Sequence, residues 1–534
     1  MFSQLLHIVP NFRNVKWKLL VLLMFVSSVA FSQEKKRIEI IRAGSLVSSD
    51  KIAANAQRLI DSVIISHKNI IMWCDSAYTY TGTNRVDAFG NVHIKQDDTL
   101  NLYANKVFYD GDISFARAWG NVKLINKSTT IYTDTLDYDL AANISYYDDK
   151  GKIIDSTTTI TSQIGKYQIN DDMLYLFKDV VAVNEKFTLS SDTVSYNTET
   201  KRIFITGPTT IRDSASTLYA ENGWYDSNTG EAELLKNPNI SNETQNIAAN
   251  YIRYSKENKS GKALGSVRIT DLENSSIITG NVAEYNDLLE TALVTDSAVY
   301  MNYDERDTLF LHADTLRSIP DTVPDEKIIL GYHKVRFFRT DLQGICDSMV
   351  YFTRDSVIQL YKSPVIWSEI HQLTADFIEM KQFHNAPDEL HLSRNSFIIS
   401  KQDSNMYDQI KGKDMVGYII NNRLNNIEVD GNGQTLYYAR DKQQIIGLNR
   451  AESSKISIRF RDGEIHSISF LTAPEGELKP LHELTEEEKK LKGFDWKIYL
   501  RPLSKYDIFE RKTGQRPDGE EEKIDMPKKL SEEK

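Results

Sequence analysis

Three scarcities limit what this chain of 534 residues can be. It contains only 2 Cys, which excludes a small fold held together by disulfides. Its 64 Lys and Arg are outnumbered by 75 Asp and Glu, and the net charge of -11 argues against a nucleic-acid-binding protein, which needs basic residues to neutralise phosphates. Only 12 Pro stand beside 27 Tyr, and this balance favours β-structure, in which aromatic rings pack well.

Long apolar runs are also scarce, and the one that exists lies at the amino terminus. Basic residues at 13–18 precede an apolar run at 19–29, and Ala30-Phe31-Ser32 has the small-x-small pattern of a cleavage site. The run is short for a membrane span. We predict a cleaved signal peptide at 1–32, with an uncleaved anchor helix as the alternative. The mature protein is therefore expected to be exported, soluble and unanchored.

A repeat of about 30 residues organises the rest of the chain. One phrase, small–Asx–x–apolar–x–aromatic, is Ala104-Asn105-Lys106-Val107-Phe108-Tyr109 and returns at 133–138 and 191–196. A second phrase, Gly-Asn-Val, precedes it at 90–92 and 120–122. Because both phrases recur in the same order, each repeat is expected to be one hairpin with a variable return.

The alternation inside these phrases predicts bent strands. Apolar residues occur at every second position, which is typical of a strand with one buried face. Between Ala104 and Val107 the phase slips by one residue, and such a slip indicates a β-bulge, which bends the strand. The Asx beside the small residue suits this corner because it can bond its own backbone. We predict V-shaped antiparallel strands shared between two facing sheets, in an elongated all-β body.

Two interruptions mark candidate domain boundaries. Residues 318–325 are rich in Pro and Asp, so one body is expected at 33–317 and a continuation or second body at 326–473, with a loop in one continuous body as the alternative. After 473 the alternation stops, and Thr485-Glu486-Glu487-Glu488 has the pattern of a helix capping box. We predict a charged segment at 474–534 that contains a short helix and is partly disordered.

Motifs of catalysis and metal binding are missing. The sequence has no H-E-x-x-H, G-x-S-x-G, P-loop or G-x-G-x-x-G motif, and its Asp and Glu recur at turns, where a structural role explains them. His384 and His391 are interpreted as exposed loop histidines. Cys74 and Cys346 occupy the same column nine repeats apart, too far for a disulfide. We predict no enzyme activity, no catalytic or metal-binding residue and no cofactor.

The predicted inner face is the functional clue. Two facing sheets can fill the space between them or leave an apolar groove, and composition does not separate these alternatives. A groove would bind acyl chains, because each buried methylene gains about 0.8 kcal/mol. Its ends would expose strand edges to which a neighbouring protein can add strands. The residues predicted to line the groove are Val92, Ile94, Leu102, Val107, Tyr109, Val122, Leu124, Leu136, Tyr138, Val194 and Tyr196.

Part of this pattern resembles a known family. The segments Cys74-Asp75-Ser76-Ala77, 88–94, 98–100 and Tyr109-Asp110-Gly111 are similar to OstA-like proteins, relatives of the LptA family, and the similarity extends over about residues 58–430. The resemblance implies an antiparallel β-jelly-roll that shields lipid A acyl chains while lipopolysaccharide crosses the periplasm. It also implies a periplasmic location, with association with the outer membrane as a further option, and edge-to-edge contact with other jelly-roll components of a transport bridge. The expected partners are therefore these components and lipopolysaccharide or a similar lipid.

Two other classes remain open. A structural or polysaccharide-binding β-solenoid of the cell envelope would have a filled interior. A polysaccharide-degrading parallel β-helix would need three short strands in each coil and an acidic cleft, whereas the nearly constant spacing of the two phrases favours antiparallel hairpins. Lipid that copurifies with the protein would separate a carrier from a solenoid.

Overall fold

A computed structural model of the chain describes residues 36–48, 55–286, 288–303, 307–324, 326–383, 386–403, 405–420, 423–441, 444–461 and 464–509. The predicted signal peptide at 1–32 and the end of the charged segment at 510–534 lie outside the described residues. The chain divides into two compact units, with the boundary between Asp172 and Met173. We call the part up to Asp172 unit 1 and the part from Met173 unit 2.

Unit 1 consists of antiparallel strands and one 3-10 turn, Ile169–Asp171, within its described residues. Its long strands contain 11 or 12 residues, with apolar side chains buried at every second position. The strands are β1 (Glu39–Arg42), β2 (Ser45–Ser48), β3 (Ala56–His67), β4 (Ile70–Tyr80), β5 (Arg85–Gln96), β6 (Leu100–Asp110), β7 (Phe115–Asn126), β8 (Thr129–Asp139), β9 (Ile144–Tyr147), β10 (Gly151–Asp155), β11 (Thr158–Ser162) and β12 (Ile164–Gln168).

Each long strand of unit 1 bends near its middle. The register of β5 and β6 shifts between Phe89 and Val92, and the pairs β3–β4 and β7–β8 shift at the equivalent place. Gly90 and Asn91, which lie in this shift, both have left-handed backbone with φ 73° and 46°. The bends divide the strands into sheet A, which contains 85–89 and 106–110, and sheet B, which contains 92–96 and 100–104. The predicted bent antiparallel strands are therefore confirmed.

The bends define two sides of unit 1. We call the line of bends the vertex and the opposite side, where the hairpin turns lie, the mouth. At the vertex Asn91 Nδ2 donates a hydrogen bond to Asp75 Oδ2 on the neighbouring strand, at 2.9 Å. The Asx here is Asp75, and its contact joins two strands, whereas the sequence pattern predicts a bond to its own backbone. Gly90 lies against the same carboxylate, so the Gly-Asn and Asx phrases form one corner together.

Unit 2 continues the same architecture with 26 strands among its described residues. They are β13 (Met173–Val183), β14 (Thr188–Asn197), β15 (Arg202–Ile205), β16 (Thr209–Arg212), β17 (Thr217–Ala220), β18 (Asn222–Asp226), β19 (Glu231–Leu235), β20 (Asn239–Ser241), β21 (Gln245–Ala248), β22 (Tyr251–Ser255), β23 (Ser260–Asp271), β24 (Ser276–Asn286), β25 (Thr291–Tyr303), β26 (Thr308–Pro320), β27 (Lys327–Phe338), β28 (Gln343–Phe352), β29 (Val357–Tyr361), β30 (Val365–Ser368), β31 (His371–Thr374), β32 (Phe377–Lys381), β33 (Asp388–Asp403), β34 (Met406–Ile420), β35 (Arg423–Asp441), β36 (Gln444–Arg461), β37 (Glu464–Phe470) and β38 (Glu475–Lys479). The all-β antiparallel class is confirmed.

The Pro-rich stretch at 318–325 lies in unit 2 and includes the end of β26. Strands β26 and β27 pair directly across it, with Ser318 opposite Ile329, and Asp321 N donates to Glu326 O. Both alternatives, two bodies or a loop in one continuous body, stay predictions. Pro238 lies in the break between β19 and β20, next to two left-handed residues at 236 and 237, because proline cannot donate to a strand ladder.

The carboxyl-terminal segment 480–509, which we call the strap, contains no α-helix. The predicted capping box forms, since Thr485 N donates to Glu488 Oε2 and Glu488 N donates to Thr485 Oγ1, but only one turn follows. Gln409 of β34 donates a hydrogen bond to Lys489 O and accepts one from Leu491 N. In a longer helix these backbone groups would pair within the helix instead. The remaining regular parts are the 3-10 helices Leu481–Glu483 and Ile498–Leu500. No helix among the described residues is long and apolar enough to cross a membrane.

Candidate functional site

The interior of unit 1 lies between sheets A and B. In sheet B, Ile94, Leu102 and Leu124 lie side by side on neighbouring strands. In sheet A the equivalent row alternates small and larger residues, as at Val107 and Ala118. Each of these side chains is at most 1% exposed. A wall of long aliphatic side chains therefore faces a wall that contains several alanines.

All eleven residues predicted to line a groove are buried. None is more than 3% exposed, so the interior is closed to solvent in this conformation. Val194 and Tyr196 belong to unit 2, on β14. The other nine lie together inside unit 1, and they are Val92, Ile94, Leu102, Val107, Tyr109, Val122, Leu124, Leu136 and Tyr138.

Three tyrosine hydrogen bonds close the mouth of unit 1. Each joins a tyrosine of sheet A to the last inward-facing residue of a sheet B strand, and all six side chains are buried. We call these pairs the clasps. They are Tyr109 Oη to His67 Nδ1 at 2.6 Å, Tyr138 Oη to Gln96 Oε1 at 2.7 Å, and Asn126 Nδ2 to Tyr167 Oη at 2.8 Å.

The clasps are pairs of neutral groups. Burial lowers the pKa of His67 and raises the pKa of Tyr109 to about 12, so neither group is ionised at pH 7. His67 Nε2 lies 3.0 Å from Lys36 O, which can only accept, so Nε2 carries the proton and Nδ1 accepts from Tyr109. A hydrogen bond between neutral groups contributes about 1 kcal/mol of net stability. The clasps are therefore weak enough to open one after another.

Polar contacts between turns form a second layer outside the clasps. Lys68 Nζ donates to Ser114 Oγ at 2.8 Å, and Lys127 Nζ lies 2.9 Å from Asp172 Oδ2. The Lys127 side chain is more than half exposed, so solvent screens its ion pair with Asp172. The pair therefore contributes little to stability. In the described part of unit 1, side chains rather than strand backbone thus join the two sheets at the mouth.

The vertex holds a similar hydrogen bond in a different setting. Tyr147 Oη lies 2.6 Å from Ser162 Oγ, and both residues are buried. Ser162 ends β11 two residues before β12 begins, so this bond lies where the chain itself crosses between the sheets. A Cβ added at Gly165 would lie 2.3 Å from the Tyr147 ring, which shows how closely the vertex is packed.

The repeated phrases do not identify the partners of the clasp tyrosines. Gln96 and Asn126 end their strands directly before polar turn residues, and His67 belongs to neither repeated phrase. A signal was present, because Gln96 continues the inward alternation of Val92 and Ile94 and is therefore placed inside the roll. A polar residue that ends an apolar column should be interpreted as a buried hydrogen-bonding group rather than as part of the following turn.

The cysteine and histidine predictions have different outcomes. Cys74 and Cys346 are buried free thiols, and burial raises their pKa values to about 11 and about 12. His391 lies in strand β33, not in a loop, with Nε2 2.7 Å from Glu389 Oε2, because the hairpin β33–β34 extends through it. His384 lies outside the described residues. Among those that are described, no group of three or more His, Cys, Asp or Glu is arranged to hold a metal ion.

The geometry places the chain among the antiparallel β-jelly-rolls that have bent strands and an apolar interior. Comparison with known families makes the assignment more specific. Residues 35–192 match the family model of OstA-like proteins, and residues 142–243 match the LptC-related model of lipopolysaccharide assembly. The resemblance to the OstA-like family is confirmed over residues 35–192, and its extension to about residue 430 stays a prediction. Both matches support a protein of the lipopolysaccharide-transport families. No curated protein matches the chain.

Proposed function

We propose that the protein is a non-enzymatic periplasmic carrier that shields acyl chains of lipopolysaccharide, or of a similar lipid, between its two sheets on the way to the outer membrane. The observation that carries this proposal is the interior of unit 1, whose walls are apolar and whose buried polar pairs lie at the mouth and at the vertex. The match to OstA-like and LptC-related families supports the same cargo.

The energetics of the interior favour an acyl chain as the guest. A buried methylene gains about 0.8 kcal/mol, so a chain of about 12 carbons gains roughly 10 kcal/mol before any costs. Because the interior is closed in this conformation, part of this gain must offset the contacts that are lost when the sheets separate. The alanines of sheet A leave the guest more room than the aliphatic row of sheet B.

Unit 1 also offers an edge for a protein partner. Strands β1 and β2 pair with β3 and with no other described strand, so their outer backbone groups are available for strand addition. Their side chains are unusually apolar for an edge, with Ile41 58% and Leu46 53% exposed. An exposed apolar edge of this kind promotes pairing with another sheet. We propose another jelly-roll component of the transport bridge as the partner.

One photo-cross-linking experiment tests both parts of the proposal. A diazirine amino acid replaces Leu102 in the interior, Ile41 at the edge, or Leu272, which is 62% exposed in a turn, as a control. After irradiation in cells, we expect a lipid adduct from position 102, a protein adduct from position 41 and neither from position 272. Mass spectrometry identifies the adducts.

The same experiment separates the carrier from its alternatives. A structural or polysaccharide-binding solenoid with a permanently filled interior would give no lipid adduct at position 102. Equal lipid labelling at positions 102 and 272 would show that contact with lipid is not specific to the interior. Either result contradicts the proposed function.

A further inference from the structure

We infer that the mouth of unit 1 is a side entrance for acyl chains and that the three clasps hold it closed. This inference rests on the proposed function and adds the route by which the lipid enters. The alternative route is along the axis of the roll from one of its ends. An end route would require the cargo to slide past every row of side chains, whereas a side route requires only that the two sheets part locally.

The clasps form a regular series along the mouth. Tyr109, Tyr138 and Tyr167 each lie three strands further along sheet A than the strand that carries their partner in sheet B. The constant offset shows that the clasps belong to the repeat and are not isolated contacts. Between consecutive tyrosines, Ala116 and Ser145 occupy the same row. These small residues leave the tyrosine rings free to reach across to sheet B.

The mouth is the side at which unit 1 can open. At the vertex the backbone passes from one sheet to the other, and residues such as Gly90 and Asp75 are in close contact there. At the mouth, by contrast, the described links are made by side chains. They are the clasps, hydrogen bonds to backbone carbonyls such as that from Gln96 Nε2 to Leu140 O, and the ion pair of Lys127 with Asp172, and each can be exchanged for a contact with water. Opening therefore separates the mouth while the vertex acts as the hinge.

An entering amphipathic lipid can keep its polar part in water. Its chains pass between the parted clasps, while its headgroup remains at the rim beside the freed phenol and amide groups. Those groups are hydrogen-bond donors and acceptors and can bind the headgroup or water, so no buried polar atom is left unpaired. The ligand class that fits this entrance is a lipid with linear acyl chains and a large polar headgroup, which could not pass through the apolar interior.

The first test removes the clasps and keeps the rings. The triple variant Tyr109→Phe, Tyr138→Phe, Tyr167→Phe is mixed with the fluorescent fatty acid cis-parinaric acid in a stopped-flow instrument. Since a neutral hydrogen bond is worth about 1 kcal/mol, we expect uptake to accelerate by roughly fivefold for each clasp that must open. Unchanged uptake would overturn the side entrance.

The matched control is Tyr147→Phe. This variant also removes one hydroxyl from a buried 2.6 Å hydrogen bond, but at the vertex. Uptake is expected to equal that of the natural protein. An equal acceleration in Tyr147→Phe would show that general loosening of the fold, rather than opening at the mouth, controls entry, and it would also overturn the inference.

The second test closes the mouth covalently. Lys68 and Ile113 are exposed on opposite sides of the mouth, and Ile113 is next to Ser114, the hydrogen-bonding partner of Lys68. In the variant Lys68→Cys, Ile113→Cys, a short bismaleimide reacts with the surface thiols, while Cys74 and Cys346 remain buried. We expect the cross-linked protein to take up the fatty acid at least tenfold more slowly than the same variant before cross-linking.

The outcomes separate the inference from the function it rests on. If the natural protein binds neither cis-parinaric acid nor lipopolysaccharide, the proposed function fails. If the natural protein binds the probe and the cross-linked variant takes it up at the same rate, lipid binding stands but the side entrance is wrong.

Discussion

Individual residues at the bends of the strands have an unusual backbone conformation. Pairs of consecutive left-handed residues occur at many bends, and most contain no glycine, as with Asp61 and Ser62 or His333 and Lys334. A left-handed backbone costs a residue with a side chain about 1 kcal/mol or more. The fold therefore maintains the bends against local strain, and glycine is required only where another side chain comes too close.

Replacement of Gly90 by alanine tests this distinction. Gly90 has φ 73°, and an added Cβ would lie 3.0 Å from Asp75 Cβ and 2.3 Å from Asp75 Oδ2. Rotation of the Asp75 side chain cannot move its Cβ, so the strand itself must shift. We expect Gly90→Ala to lower the free energy of unfolding by about 2 to 4 kcal/mol, measured by thermal denaturation with circular dichroism.

Gly82→Ala is the matched control for Gly90→Ala. Gly82 has φ 83°, but no atom lies within 4 Å of the position of an added Cβ. Its replacement therefore adds only the backbone strain, about 1 kcal/mol. If the two variants lose the same stability, crowding at the vertex is not what requires glycine at position 90.

Among the structural elements, the strap explains why part of unit 2 departs from simple alternation. On β33, Ile398 faces the interior, and Phe397 and Ile399 on the opposite face are also buried. The strap covers that opposite face, where Leu491 joins the same apolar cluster. Gln372 fastens it further by donating to Asp495 O and accepting from Lys497 N.

Leu491→Ala is expected to loosen the strap. Leu491 is 2% exposed, and replacing a buried leucine with alanine costs about 2 to 4 kcal/mol. The variant should show a lower denaturation temperature and faster proteolysis within 480–509. Leu503→Ala, at a strap position that is 69% exposed, should change stability by less than about 0.5 kcal/mol. Equal effects of the two variants would show that the strap is not anchored at Leu491.

The elements differ in how far the sequence predicts them. The bend at Ala104 to Val107 could be predicted because a phase slip is a local signal that repeats. The packing of the strap over β33 could not be predicted, because its contacts join distant parts of the chain. Gln372 and Asp495, for example, are 123 positions apart. The clasps lie between these cases. The sequence places Tyr109 on the inner face, but only the stacking of the strands reveals its partner His67.

At the scale of the whole molecule, the protein and its proposed cargo carry net charges of the same sign. The chain carries a net charge of -11, and lipopolysaccharide is also anionic. Long-range electrostatics should therefore oppose binding, and burial of the acyl chains must supply the affinity. A basic carrier, which attracts its anionic ligand through charge, would behave in the opposite way.

Ionic strength provides a direct measurement of this balance. Raising NaCl from 0.1 M to 1 M shortens the screening length from about 10 Å to about 3 Å and weakens repulsion. We expect dodecyl phosphate to bind a few-fold more tightly in high salt than in low salt, after correction for the change seen with uncharged dodecyl maltoside. Isothermal titration calorimetry measures both ligands. A corrected affinity that falls with salt would reveal a local basic site for the headgroup.

The reach of the clasps sets a minimum length for a working roll. Each clasp joins residues 41 or 42 positions apart, whereas Tyr109, Tyr138 and Tyr167 succeed one another every 29 residues. A single repeat therefore cannot form a clasp by itself, because its tyrosine needs the hydrogen-bonding partner that an earlier repeat supplies. During evolution, duplication of complete repeats would keep each new tyrosine in register with a hydrogen-bonding partner, while an insertion that is not a whole number of repeats would leave tyrosines and partners out of register.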